Sequence, residues 1–101
     1  MNKPDYSKTE DYLVIITGKI SGITEYNAEY PAQDKDGNPI TRFKNVFSLS
    51  NPRISDPRFD TCISWERQTI RIGDIVSIKG RFLENAFLVK SLIIYKRGEE
   101  C

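Results

Sequence analysis

The segment from Ile72 to Tyr95, IGDIVSIKGRFLENAFLVKSLIIY, constrains the fold more than any other part of the chain. Its first half alternates with period two, as in a strand with one buried face, and the side expected to be buried carries Val76, Ile78, Gly80 and Phe82. A polar turn at residues 84–85 separates this run from a second apolar run, so the segment predicts a β-hairpin. A glycine inside a strand often marks a bend or a close backbone approach, so Gly80 favours a strongly coiled hairpin that closes a small barrel.

Three further strands are predicted at residues 11–23, 40–50 and 59–66. Residues 24–39 form either a long loop or an extension of a hairpin with its tip at 35–38, because Asp36 to Pro39 are all turn residues. Residues 67–72 are too few for a full helix before Gly73. Five strands with little or no helix predict an all-β fold, a five-stranded OB-fold β-barrel. An immunoglobulin-like sandwich normally needs about seven strands.

The length of 101 residues predicts one domain. We expect a flexible N-terminal arm at residues 1–10, the OB-fold domain at 11–97 and a polar tail at 98–101. The first twelve residues are polar, without the apolar core of a signal peptide, and no apolar run approaches the length of a membrane span. Only two cysteines are present, Cys62 and Cys101, which favours a reducing, cytoplasmic location over a disulfide framework.

Charge is distributed unevenly along the chain. Residues 1–41 sum to −3, residues 42–97 to +6 and the last four residues to −2. This asymmetry is typical of a surface that binds phosphate, although ordinary surface charge would explain it almost equally well. The sequence contains no histidine, which removes the commonest general base and metal ligand. We therefore predict a protein that is not an enzyme and that has no metal site and no cofactor.

Several aromatic and basic residues are candidates for contact with a ligand. Tyr26 and Tyr30 could stack on a ligand or pack their loop onto the barrel, while Arg42 and Lys44 project from the same side of the second strand. The facing of Trp65 stays open: it lies inside if Ile63 does, and outside if Cys62 and Ser64 point inward. Arg53 and Arg58 make the following loop basic.

The order of these segments resembles the bacterial single-stranded DNA-binding protein family and its relative, the primosomal replication protein. The resemblance spans residues 11–97 and is carried by four short motifs: VIITGKIS, GNPITRFKNVFSLSN, CISWERQ and IRIGDIVSIKGRF. Three family features are missing: most of the helix between strands three and four, a long finger at residues 83–86, and an acidic tail ending in Pro-Phe. A reduced relative, from a phage or mobile element, would fit these departures.

The resemblance implies sequence-tolerant binding of single-stranded DNA, with RNA as the other polynucleotide, in replication, recombination or repair. It makes Trp65 the first stacking candidate. The implied nucleic-acid-binding set is Trp65, Arg42, Lys44, Lys19, Arg67, Lys79, Arg81, Arg53, Arg58, Phe59, Tyr26 and Tyr30.

The alternative function is a protein-binding OB-fold subunit of a replication or end-protection complex. Ile75, Ile93, Leu13 and Ile15 would then form an apolar contact patch on the outward side of their strands. The predicted partners are accordingly single-stranded DNA, and either a second copy of the chain or a replication protein, with no membrane.

Overall fold

A computed structural model describes residues 13–98 of the chain. These residues form one closed β-barrel with five strands, and the described range contains no α-helix. The strands are β1 (Val14–Gln33), β2 (Pro39–Ser50), β3 (Cys62–Ser64), β4 (Ile75–Phe82) and β5 (Phe87–Lys96), with one 3₁₀ turn at Pro57–Asp60. The predicted arm at 1–10 and the end of the predicted tail, residues 99–101, lie outside the described residues.

The barrel closes in the order β1-β2-β3-β5-β4, with β4 returning to β1. The pair β3–β5 is parallel, and the other pairs are antiparallel. This closed all-strand arrangement has the strand number of an OB-fold, and it confirms the predicted fold class. No helix in the described range is both long and apolar enough to span a lipid bilayer.

The core is built by the period-two alternation of the strands. Fully or almost fully buried apolar side chains line the inside: Ile20, Phe47, Leu49, Phe59, Cys62, Ile70, Val76, Ile78, Phe87 and Val89. Burying each large side chain of this kind contributes about 1.5–3 kcal/mol. Val76 and Ile78 confirm the inward side predicted for β4, and Phe47 and Leu49 confirm that of β2.

Of the two alternatives predicted for residues 24–39, the structure selects the hairpin extension. β1 continues to Gln33 and pairs with β2 up to the register partners Gln33 and Pro39. At the tip, the Asp34 Oδ1 atom accepts hydrogen bonds from the backbone N–H groups of Asp36 and Asn38, both at 2.9 Å, and Gly37 takes a positive φ of 84°. The β1–β2 hairpin therefore projects well beyond the barrel wall.

Gly80 lies where β4 and β5 approach closely, at a register shift between Lys79 and Gly80. A Cβ atom at this position would overlap the carbonyl oxygen of Leu88, so no larger residue fits without moving the backbone. This confirms the close approach that the sequence predicted for the coiled hairpin.

The link from β3 to β4 is irregular, as the short spacing predicted, and ends at a buried carboxylate. Asp74 is 0% exposed, and it accepts hydrogen bonds from the backbone N–H groups of Gly98 (2.7 Å) and Arg71 (2.9 Å). The Arg97 guanidinium lies 3.0 Å from Oδ2, the oxygen that also accepts the Arg71 N–H. These contacts attach the end of β5 to the start of β4.

Candidate nucleic-acid interface

The β1–β2 hairpin presents one row of candidate site residues outward. Tyr30 pairs with Arg42 in register, and Ala28 pairs with Lys44, so Tyr30, Arg42 and Lys44 share one side of the hairpin because directly opposed residues point the same way. Glu25, opposite Val46, continues this side towards the barrel.

The register of β3 settles the facing of Trp65. Cys62 and Ser64 are 0% and 2% exposed, and Ser64 pairs with the buried Asn45. Ile63 and Trp65 therefore point outward, which selects one of the two alternatives that the sequence left open. The outward side chains Glu25, Tyr30, Arg42, Lys44 and Trp65 together are named the hairpin face.

Two rings and one ammonium group meet on the hairpin face. The Tyr30 and Trp65 rings lie 5.7 Å apart at an interplanar angle of 81°. The Lys44 Nζ atom lies 5.3 Å from the centroid of the Trp65 ring and 5.5 Å from that of Tyr30, within the range of cation–π attraction. This arrangement places stacking surface next to positive charge, which is the combination that single-stranded polynucleotides require.

The Glu25 carboxylate contacts both Lys44 and Tyr30. Its Oε2 atom lies 3.4 Å from the Lys44 Nζ atom, and its Oε1 atom accepts a hydrogen bond of 2.8 Å from the Tyr30 hydroxyl. Donation of this hydrogen bond, reinforced by the negative charge of Glu25, raises the pKa of Tyr30. The phenol therefore remains protonated and remains a donor at neutral pH.

A buried polar network fixes the chain that carries Trp65. Asn45 is 0% exposed; its Oδ1 atom accepts from the Asn27 backbone N–H at 2.9 Å, and its amide donates to the Glu66 carbonyl at 3.0 Å. The Asn27 side chain in turn bonds both the N–H and the carbonyl of Gln68, each at 2.9 Å. The backbone of residues 66–68 is therefore held against the hairpin.

Asn27 has a positive φ of 47° at a register shift in β1. Asparagine tolerates this left-handed conformation better than most residues. The shift turns the Asn27 side chain towards Asn45, and this contact is the local reason why the hairpin base and residues 66–68 lie together.

Arg67 lies on the other side of the hairpin from Trp65. Its guanidinium carbon is 4.2 Å from the centroid of the Phe43 ring, and Phe43 belongs to the side of β2 that faces the core at Asn45 and Phe47. Residues 65–67 thus place a ring on one side of β2 and a cation on the other. Tyr26 is 51% exposed near the register shift.

The other predicted basic residues lie elsewhere on the barrel. Lys19, Lys79 and Arg81 belong to the outward side of the first half of β1 and of β4. The Arg58 guanidinium is paired with Asp56 at 2.7 Å and lies 3.9 Å above the Phe82 ring. Arg53 is exposed in a turn in which its backbone N–H donates to Asn51 Oδ1. The predicted set therefore does not converge on one surface.

The prediction of Phe59 as a stacking residue is corrected by its position. Phe59 is 4% exposed and packs against Phe82 and Phe87, at centroid distances of 5.4 and 5.2 Å. The 3₁₀ turn at Pro57–Asp60 directs this ring into the core, so no face of it is open to a base.

Three residues of the interface were not predicted: Glu25, Asn27 and Asn45. Glu25 was not among the predicted site residues, and the two asparagines meet across eighteen positions of sequence, a pairing without a local signal. Within residues 13–98 no group of three or more Cys, Asp or Glu side chains is arranged to hold a metal ion. The predicted absence of a metal and of a cofactor stays a prediction.

Comparison with known proteins finds a similar structure but no matching sequence family. No protein-family model matches the chain, and no curated protein sequence matches it. The fold is similar to the crystal structure of Rim1, a mitochondrial single-stranded DNA-binding protein from S. cerevisiae, at 13% sequence identity and a TM-score of 0.50. The match covers 86% of this chain and 97% of that one, and it shows that the two chains share a fold.

Proposed function

We propose that the protein binds single-stranded DNA with little dependence on sequence, through the hairpin face, in replication, recombination or repair. The observation that carries the proposal is the Lys44 ammonium group lying over the Trp65 and Tyr30 rings on the outward side of β2 and β3. This is the side on which OB-folds bind oligonucleotides. The likeness of the fold to a protein described as single-stranded DNA-binding gives additional support.

Each group of the hairpin face has a distinct role in this proposal. Trp65 stacks on a base, which contributes about 1–3 kcal/mol and requires no particular base because every base has a π-face. Lys44 and Arg42 contact the phosphates on either side of that base and release counterions from the strand. Arg67, on the reverse side of the hairpin, extends the basic path around its edge.

The remaining predicted cations have a secondary role. Lys79 and Arg81 lie on β4, which is adjacent to neither β2 nor β3 in the barrel. Lys19 lies in the first half of β1, opposite Ser50 at the end of β2 away from the hairpin tip. All three contact DNA only if a long strand continues around the barrel. Arg58 is already neutralised by Asp56. We therefore propose a short primary contact, at the lower end of the range of about 4–16 nucleotides known for OB-folds.

The test is the anisotropy of labelled oligonucleotides, measured between about 50 and 200 mM salt. We expect oligo-dT and other single-stranded deoxyribonucleotides to bind with similar affinity, to bind more tightly than duplex DNA, and to weaken steeply with salt. An RNA oligonucleotide of the same length measures the preference for the sugar. No binding at low salt, or an affinity independent of salt, would overturn the proposal.

A second candidate function is binding of a partner protein, and a specific surface favours it. The outward side chains of the first half of β1, of β4 and of β5, together with Leu13, are named the β4 face. Its exposed apolar members are Leu13 (48%), Ile15 (65%), Ile93 (61%) and Tyr95 (67%), with Ile75 half-buried beside them. Light scattering coupled to size-exclusion chromatography would show a dimer without oligonucleotide binding if this is the main function.

We also propose a reducing, cytoplasmic setting and a binding role rather than a catalytic one. Cys62 is a free, fully buried thiol, and burial, together with the charge of Asp60, raises its pKa to about 12. A thiol in this state is inert, because the reactive form is the thiolate. It therefore serves as a core residue and not as a nucleophile.

A further inference from the structure

The Glu25 carboxylate makes the contacts on the hairpin face that a phosphate of bound DNA would make. One oxygen lies 3.4 Å from the Lys44 ammonium, and the other accepts the Tyr30 hydroxyl at 2.8 Å. Both partners belong to the proposed binding surface. An ammonium group and a phenol are also suitable donors to a phosphate oxygen, so Glu25 and DNA require the same two groups.

The Lys44–Glu25 pair is partly shielded from water. The two side chains are 24% and 30% exposed, so their attraction is weakened less by solvent and salt than that of a fully exposed pair. In this position the Lys44 ammonium also lies 5.3 Å from the Trp65 ring centroid. The pair therefore holds the cation where a stacked base would have to displace it.

We propose that Glu25 is an internal counter-ion that competes with DNA phosphate for Lys44 and thereby limits the affinity of the hairpin face. This proposal rests on the function proposed above. When DNA binds, the Lys44–Glu25 ion pair is exchanged for a Lys44–phosphate ion pair. No covalent bond is made or broken. The carboxylate remains beside the strand and repels it.

The proposal fixes the direction of the salt dependence. A phosphate that meets a neutral Lys44–Glu25 pair releases fewer counterions than one that meets a free lysine. Removing the Glu25 charge must therefore tighten binding and also steepen the decrease of affinity with salt. The slope should change by at most about 0.7 for the one phosphate involved.

The variant is Glu25→Gln, and the matched control is Glu29→Gln. Both substitutions remove one negative charge from the same strand, but Glu29 pairs in register with Phe43 and lies on the other side of the hairpin. We expect E25Q to bind oligo-dT about 3–5-fold more tightly, as for the loss of one ion pair. E29Q should remain within about 2-fold of the wild type, since a charge off the binding surface acts only through screened long-range attraction.

A double-mutant cycle with Lys44→Met separates this competition from a general effect of charge. In the K44M background, E25Q should lose most of its gain, because the group for which the two anions compete is gone. An equal gain in both backgrounds, or equal gains in E25Q and E29Q, would overturn the role of Glu25 while leaving DNA binding intact. Failure of the wild type and of E25Q to bind any oligonucleotide would overturn both proposals.

The internal contact has a readout that needs no DNA. In protein with isotope-labelled tyrosine rings, NMR titration follows the ionisation of Tyr30, whose signal is assigned by its loss in Tyr30→Phe. We expect the pKa of Tyr30 to fall in E25Q, since its hydrogen bond to the carboxylate raises it. An unchanged Tyr30 pKa would show that the carboxylate is not held between the two groups, and would overturn the inference.

Discussion

The hairpin face and the β4 face carry different combinations of charge and aromatic surface. Val14 to Ile20, β4 and β5 contain no Asp or Glu but five cations, Lys19, Lys79, Arg81, Lys90 and Lys96. The hairpin face has a carboxylate in its centre, yet there the cation, the rings and the acid contact each other. Net positive charge alone would select the β4 face, whereas the arrangement of groups selects the hairpin face.

Acidic residues also have different roles in the two regions. Glu25 is half-exposed and lies among the groups proposed to contact DNA. Asp74, next to the β4 face, is fully buried and bonds the ends of β4 and β5 together. We expect the first carboxylate to adjust binding and the second to maintain structure. Substitutions in the two regions should therefore separate these effects.

The largest expected effect is on stability, from Asp74→Asn. The amide keeps one acceptor oxygen and replaces the other by an NH2 group, so either the Gly98 N–H or the pair formed by the Arg71 N–H and the Arg97 guanidinium loses its acceptor. We expect the free energy of unfolding, measured by urea denaturation at neutral pH, to fall by about 2–4 kcal/mol. Oligonucleotide affinity of the folded fraction should not change.

The pH dependence of the destabilisation in D74N provides a control for this prediction. Burial disfavours the charged form of Asp74, but hydrogen bonds from Gly98 and Arg71 and the charge of Arg97 outweigh it and lower the pKa. A lowered pKa stabilises the fold above the unfolded value of 3.8, and this stabilisation is lost as the pH falls through the folded value. The difference in the free energy of unfolding between wild type and D74N should narrow below about pH 4. A difference that does not change with pH would contradict the stabilising role assigned to the Asp74 carboxylate.

The next largest effect is expected for Trp65→Ala on DNA affinity. Loss of one stacking ring should weaken oligo-dT binding by about 1–3 kcal/mol, measured by anisotropy of a labelled oligonucleotide. Tyr95→Ala is the matched control, because Tyr95 is an aromatic residue that is 67% exposed on the β4 face. If Y95A weakens binding as much as W65A does, the choice between the two faces is wrong.

Arg42→Gln should have a moderate effect that depends on salt. Arg42 pairs with Tyr30 in register on the hairpin face, and removal of one phosphate contact should reduce the slope of log affinity against log salt by about 0.7. Lys79→Gln removes a cation of the β4 face and should leave that slope unchanged. Equal changes in both variants would indicate that DNA surrounds the barrel.

The smallest effect is expected for Ile93→Thr. Ile93 is 61% exposed, so the free energy of unfolding should change by less than about 0.5 kcal/mol. Ile78 is 0% exposed in the same barrel, so Ile78→Thr should lower the free energy of unfolding by about 2–4 kcal/mol. It is the positive control for the unfolding measurement. If I93T instead converts a dimer to a monomer in light scattering, the β4 face is a protein-binding surface.

Alternation made β2, β4 and β5 predictable, because each has one consistently apolar side. β1 and β3 were harder to predict. β1 runs ten residues past the predicted end at residue 23, since polar residues such as Glu25 and Glu29 pair with β2 without an apolar pattern. β3 is only Cys62–Ser64, and Phe59, predicted to begin it, belongs to the preceding 3₁₀ turn and to the core.

The candidate site was predictable in its residue types more than in its geometry. Lys44, Arg42 and Trp65 were identified from motif and alternation, but the facing of Trp65 depends on the register of Ser64 with Asn45. That register is set by contacts far apart in sequence. The same holds for Lys79 and Arg81, whose separation from the hairpin face follows from the order in which the strands close, since β4 is adjacent to neither β2 nor β3.

The projecting β1–β2 hairpin has one more consequence. It extends to a tip at Asp34–Asn38, whereas the β4–β5 connection closes within residues 83–86. Among residues 13–98, therefore, a single arm leaves the barrel and no second arm opposes it. A polynucleotide can then approach sideways, without a free end to thread. We expect covalently closed single-stranded circles to be bound as readily as linear strands, including at internal gaps flanked by duplex.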